Sequence, residues 1–124
     1  MSESTHTRGS RGESIAEAFL RRKGHAILAR NYRDSVSRCE IDIVTRDGEE
    51  LVFVEVKAGT GQRFGDPQSW VGSRKQQHVA RAARRFLQER NWHEFPCRFD
   101  VIGIDLSGKP PRITHIERAF WSTV

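Results

Sequence analysis

The amino-acid sequence predicts an α/β fold in which a mixed central β-sheet is flanked by helices. Three observations predict it. Apolar residues recur at helical spacing in two stretches, from Ile15 to Leu20 and from Val79 to Leu87. Runs rich in β-branched and aromatic residues stand between and after them, at 25–33, 40–45, 51–57 and 97–104. The resulting order is helix, strand, hairpin, helix, strand, strand. At 124 residues the chain is long enough to bury the core that such an arrangement needs, in a single domain over 10–124.

Residues 1–9 have no apolar periodicity and read as a disordered N-terminal tail. Two overlapping capping boxes, Ser10 with Glu13 and Ser14 with Glu17, offer a start for the first helix. Its apolar stripe is Ile15, Ala16, Phe19 and Leu20; Arg21, Arg22 and Lys23 oppose the dipole in its last turn, and Gly24 ends it. Residues 25–33 form a short strand with polar ends. The hairpin follows, its two strands joined through Asp47-Gly48.

Beyond the hairpin, Gly59, Gly61 and Gly65 mark a loop. Asp66-Pro67 fits an N-cap followed by Pro at the first helical position of a short turn. A longer helix begins at Ser73, with Gln76 completing a capping box, and runs to about Arg90. In the strand at 97–104, Phe99 and Val101 face one side and Arg98, Asp100, Ile102 and Ile104 the other. Asp100 there reads as a structural partner of Arg98 or of a helix terminus. A turn with Gly108 and Pro110-Pro111 leads to a last strand at 112–116. Trp92, Phe95, Phe120 and Trp121 read as core or rim packing.

Alternation along the hairpin places Ile41, Ile43, Val52, Val54 and Val56 on one face, and Glu40, Asp42, Val44, Phe53, Glu55 and Lys57 on the other. A two-residue loop at Gly48-Glu49 sets Asp42 opposite Glu55, and one at Asp47-Gly48 sets Glu40 opposite Glu55; both registers remain open. In either, carboxylates and one ammonium gather at the end away from the turn. Adjacent strands lie about 4.8 Å apart and residues i and i+2 about 6.7 Å, so Asp42, Glu55 and Lys57 converge. With apolar residues on both faces, unpaired charge there is costly. Carboxylates so placed call for a cation, and hard oxygen ligands suit Mg²⁺ or Mn²⁺. The competing reading is a set of solvated cross-strand ion pairs worth little.

The net charge of +5, with pI near 9.9, favours polyanions such as nucleic acid as partners. Arg63 in the glycine-containing loop and Arg74 and Lys75 at the opening of the second long helix are the candidate phosphate contacts, against the alternative of a solvated basic face. No stretch has the length of a membrane span and the N-terminus has no apolar signal core, so a cytoplasmic protein without a membrane partner is expected. Cys39 and Cys97 have neither zinc-site nor thioredoxin spacing.

The ordered series Gly12-Glu13, Leu20, Gly24, Ile27-Leu28, Asn31, Arg33, Glu40-Ile41-Asp42, Val52 to Lys57, Phe64-Gly65, Lys75 and Arg98-Phe99-Asp100-Val101 closely resembles the YraN family of small bacterial proteins, over roughly residues 12–105. That family looks like a minimal member of the restriction-endonuclease-like superfamily with the PD-(D/E)xK site, similar in layout to archaeal Holliday junction resolvases. The resemblance implies a divalent metal, Mg²⁺ or Mn²⁺, held by Asp42 and Glu55 with support from Glu13. It implies Lys57 as the catalytic lysine and DNA, branched DNA included, as substrate; Glu17 is a second choice beside Glu13. A two-fold dimer would suit a symmetric junction. Two departures stand out: Cys39 occupies a position where the family usually has Gly, and Ala58-Gly59 follow the lysine where an Arg is usual. The expectation is therefore a metal-dependent endonuclease-like protein, with a nucleic-acid-binding module of the same fold, catalytically weak or inactive, as the alternative.

Overall fold

The structure, a computed structural model, describes residues 5–61, 65 and 67–122. Five strands form one sheet in the order β1-β2-β3-β4-β5: β1 (Ala26–Arg33), β2 (Glu40–Asp47), β3 (Glu50–Gly59), β4 (Cys97–Asp105) and β5 (Arg112–Phe120). The β3–β4 pair is parallel and the other three are antiparallel. Helix α2 (Ser73–Arg90) makes the crossover that the parallel pair requires, and α1 (Thr5–Arg22) precedes the sheet. This is the mixed sheet with helices expected from the sequence, in an α/β arrangement consistent with restriction-endonuclease-like architecture.

Two cores sandwich the sheet. Ala16 and Leu20 of α1 pack on Ile43, Val52, Val54, Ile102 and Ile104. Val79, Ala82, Ala83, Phe86 and Leu87 of α2 pack on Val44, Leu51, Phe53, Phe99, Val101 and Phe120. The alternation predicted for β3 and β4 is reproduced, since burying both sheet faces leaves each strand little freedom of register. Two glycines permit close approach: a Cβ at Gly12 would lie 2.5 Å from the Ala58 Cβ, and one at Gly103 would lie 2.2 Å from the Trp70 ring.

Several expectations are corrected. Helix α1 begins at Thr5, so the proposed tail is helical from that residue and Ser10 and Ser14 lie inside the helix, where neither can cap it. Contact of Gly12 with Ala58 anchors this turn to β3, so tertiary packing extends the helix through two glycines that alone disfavour it. The N-cap of α2 is Gly72 rather than Ser73, and the Gln76 side-chain amide donates to the Val71 carbonyl at 2.9 Å. Strand β5 continues to Phe120, beyond the expected 116. Pro67–Ser69 form the short turn, while Arg63 and its proposed phosphate contact, with Asp66 and its proposed cap, lie outside the described residues. Ile41 packs with the α2-side core and not with Ile43. The break falls where Asn31 of β1 adopts a left-handed conformation (φ 52°) between Arg30, paired with Ile43, and Tyr32, paired with Ile41.

Candidate functional site

The β2–β3 register joins Asp47 to Glu50 across a Gly48-Glu49 loop, the first of the two alternatives, and continues to Ile43 opposite Val54. The next pair in that register is Asp42 and Glu55. Here side chains replace the backbone ladder. The Val56 N–H donates to Asp42 Oδ2 at 2.8 Å, and the Asp42 N–H donates to Glu55 Oε1 at 3.4 Å. The two acids are thus fixed at the point where β2 and β3 separate.

Glu55 is 5% exposed. Burial pushes its carboxyl up to about 8, and the neighbouring Asp42 charge adds to the rise, outweighing Lys75. Burial also raises Asp42, against the Val56 N–H and the Lys75 charge, which pull it down. Glu55 therefore retains a proton near neutrality even with Lys75 beside it, unless further positive charge is supplied. Lys75 Nζ lies 3.4 Å from Glu55 Oε2. Burial works against its charge, but Glu55 and Asp42 outweigh that and hold the ammonium above its usual range.

Lys75, expected on a phosphate-binding surface, therefore turns toward the carboxylates. The α2 crossover brings the Lys75 ammonium to Glu55 of β3, a placement invisible in the nineteen residues that separate them. Lys57 is half-buried two residues beyond Glu55, paired with Gly103 of β4, and forms no ion pair among the described residues. Glu13 meets Arg30 of β1, with Arg30 Nη2 3.6 Å from Glu13 Oε1. Burial raises the Glu13 carboxyl, the Asp42 charge adds to this, and Arg30 and Asn31 oppose it. Glu17 pairs instead with Arg21, at 4.0 Å on the helix surface. Glu40 leaves the acid group to pair with Arg33 at 3.0 Å. Arg74 is exposed at the start of α2.

Arg30 is the residue that sequence reasoning missed. The signal was there, an arginine in the middle of an apolar strand. Its Nε is buried without a hydrogen-bond partner.

The donor set suits a hard cation in its chemistry: the buried Glu55 and half-buried Asp42 carboxylates, both raised chiefly by burial, with the Asp42 charge raising Glu55 further. Asp42 and Glu55 are brought together, and Glu13 interacts with Asp42 through its charge. Among the described residues, no group of three His, Cys, Asp or Glu side chains is close enough to hold a metal ion in this arrangement.

A second polar cluster lies on the α1 side of the sheet. Asp100, 0% exposed, takes Arg98 Nε at 3.1 Å, His115 Nε2 at 2.8 Å and the Arg118 N–H at 3.1 Å. Arg98 also reaches Glu50 at 2.9 Å and Asp47 at 3.1 Å. Burial opposes the Asp100 charge, but His115, Arg98 and the Arg118 amide outweigh it and hold the carboxyl below its usual range. This confirms the structural pairing expected for Asp100 and ties together β2, β3, β4 and β5.

Similarity to known proteins follows the same residues. The family model for "Uncharacterised protein family UPF0102" matches residues 12–104. A UPF0102 protein of Geobacter metallireducens is 46% identical over 112 residues, 90% of each chain. One from Pseudomonas aeruginosa is 40% identical over 121 residues, 95% of each chain. One from Pelotomaculum thermopropionicum is 38% identical over 122 residues, 97% of this chain and all of the relative. With the family model spanning from the glycine before Glu13 to Ile104 in β4, the chain belongs to the uncharacterised protein family UPF0102, the YraN family.

Proposed function

We propose that this protein is a divalent-metal-dependent endonuclease that hydrolyses DNA phosphodiester bonds, in branched DNA among others. The observation that carries the reading is the pairing of buried Glu55 with half-buried Asp42, set at the separation of two strands and partly neutralised by a lysine from another element. Burying two acids together is costly, and proteins retain such pairs where the charge is used.

Asp42 and Glu55 would hold Mg²⁺ or Mn²⁺, which when bound supplies Lewis acidity toward a phosphoryl oxygen and toward water. The chain's own residues do the rest. The Val56 N–H fixes the Asp42 carboxylate and keeps it from swinging. Lys57, half-buried beside Glu55, is placed to orient a water or to offset charge growing on the phosphoryl group. Lys75 supplies positive charge at Glu55 when no cation is present, and it is free to turn to a phosphate when one is. Glu13 adds negative potential toward Asp42, and Arg30 holds Glu13 in place. A cytoplasmic setting and a two-fold dimer on a symmetric junction accompany this reading. Among the described residues, no helix is long and apolar enough to cross a membrane.

The test compares cleavage of nicked, flapped and four-way DNA by the wild type and Asp42→Ala with Mg²⁺ or Mn²⁺. Metal-dependent cleavage lost in Asp42→Ala supports the assignment, and equal cleavage by both proteins removes it.

A specific observation favours a second reading, a nucleic-acid-binding module with the same fold and little catalysis: Lys75 already pairs with Glu55, and no third acid converges among the described residues. That reading predicts salt-sensitive DNA binding that persists in chelator and in Glu55→Ala.

A further inference from the structure

Helix α2 carries Arg74, Lys75, Arg81, Arg84, Arg85 and Arg90 against a single acid, Glu89. Six residues of the helix are buried, namely Val79, Ala80, Ala82, Ala83, Phe86 and Leu87. At about 100° per residue, Arg74, Arg81 and Arg85 fall within about 40° of one another on the opposite side. Arg84, Gln77 and Gln88 flank that line. Rising about 1.5 Å per residue, the line from Arg74 to Arg85 is about 16 Å long.

Its C-terminal half borders a groove of about 450 Å³ between α2 and the loop joining β1 to β2, lined by Arg81, Arg84, Arg85, Gln88, Asp34, Val36 and Ser37. The acid in this groove is already engaged: Asp34 accepts the Val36 N–H at 3.0 Å and the Ser37 hydroxyl at 2.6 Å, and Arg85 Nε lies 3.9 Å away. Arg81 and Arg84 are exposed and form no ion pair among the described residues. They are guanidinium groups left for an external anion.

Resting on the DNA reading above, we infer that the outer face of α2 is a docking surface for the sugar-phosphate backbone of duplex DNA, with Arg81, Arg84 and Arg85 as its phosphate contacts. Two features select this occupant. The line of charge is long and straight, spanning about five base-pair steps along a duplex axis, whereas a compact anion would need a convergent cluster. No aromatic side chain lines the groove, Phe86 of α2 is buried, and His78 is the one exposed ring on that helix. A surface of this kind holds backbone and, with a single exposed imidazole, gives bases little to stack on, so it favours a duplex over a single strand. The line begins at Arg74, one residue before the lysine that reaches Glu55. The surface therefore orients an arm of DNA relative to the acids without contacting the reacting bond.

The experiment measures binding by fluorescence anisotropy, in chelator, on a duplex and on a single strand of equal length across a salt series. It compares wild type with Arg81→Gln/Arg84→Gln and with Lys109→Gln/Arg112→Gln, which removes the same charge from the β4–β5 side. All of these positions are exposed, and circular dichroism checks that the fold is retained. The expected result is at least tenfold weaker duplex binding by the α2 variant, a salt slope lower by about two, and near wild-type binding by the control. Wild-type affinity in the α2 variant, equal losses in both variants, tighter binding of the single strand, or no binding by the wild type would each overturn the inference. Cleavage with Mn²⁺, measured separately, tests the enzymatic reading. A protein that binds through these arginines but cuts nothing leaves the surface standing and removes the nuclease. A protein that cuts, yet binds duplex equally well without Arg81 and Arg84, does the reverse.

Discussion

The Asp42 carboxylate accepts the Val56 amide at 2.8 Å, so a side chain continues the β2–β3 ladder one step past its last backbone pair, Ile43 with Val54. The same step brings Asp42 against Glu55, and the electrostatic behaviour of the metal-free protein follows from that contact.

Stability without metal should fall as pH rises. The folded-state value for Glu55 is raised to about 8 from an ordinary 4.5, chiefly by burial. The folded state therefore binds more protons than the unfolded state between those values, and stability declines across that window and levels off above it. Glu55→Gln should flatten the profile by roughly 2–4 kcal/mol between pH 5 and 8.5. Urea unfolding in chelator at a series of pH values measures this, and parallel wild-type and variant profiles would refute it.

Lys75→Met should destabilise the metal-free protein by about 1 kcal/mol at pH 8.5 and by less at pH 5, where Glu55 is neutral; the half-exposed lysine keeps the effect small. Equal losses at the two pH values would show that Lys75 acts through packing alone.

A divalent cation should raise the melting temperature of the wild type at pH 7.5 and release protons on binding, because Glu55 must ionise to receive it. Neither effect should appear with Asp42→Ala. Thermal melts and calorimetry in two buffers of different ionisation enthalpy provide the measurements.

Asp100→Ala should cost about 3–5 kcal/mol in urea unfolding, since it leaves Arg98 buried with one partner fewer. A loss below 1 kcal/mol would mean that Asp47 and Glu50 suffice for Arg98.

Gly103→Ala should displace the Trp70 ring and cost about 1–3 kcal/mol, seen as a change in near-ultraviolet circular dichroism together with lower stability. Trp70→Ala in the same background should relieve the clash, so the two losses should not add.

Much of the sheet was legible because turn chemistry and alternation are local. Asp47-Gly48 located the hairpin, and the double-sided burial of Val52, Phe53 and Val54 made their faces unambiguous. Asp42 and Glu55 were legible for the same reason. Lys75 was noticed but its pairing with Glu55 was not, because that contact depends on how a crossover helix lies on the sheet. Ile41 was assigned to the wrong face because alternation assumes regular backbone, and Asn31 on the neighbouring strand departs from it. The beginning of α1 was missed because the capping signals at Ser10 and Ser14 were stronger locally than the packing of Gly12, which only the folded chain displays.

Where Gly12 meets Ala58, the molecule has a built-in gauge. One absent methyl lets the helix bearing Glu13 settle onto the strand bearing Glu55 and Lys57, so backbone thickness, and not a side chain able to swing, sets the gap between these elements. The tolerance of whatever chemistry takes place there is inherited from a position that contributes no functional group at all.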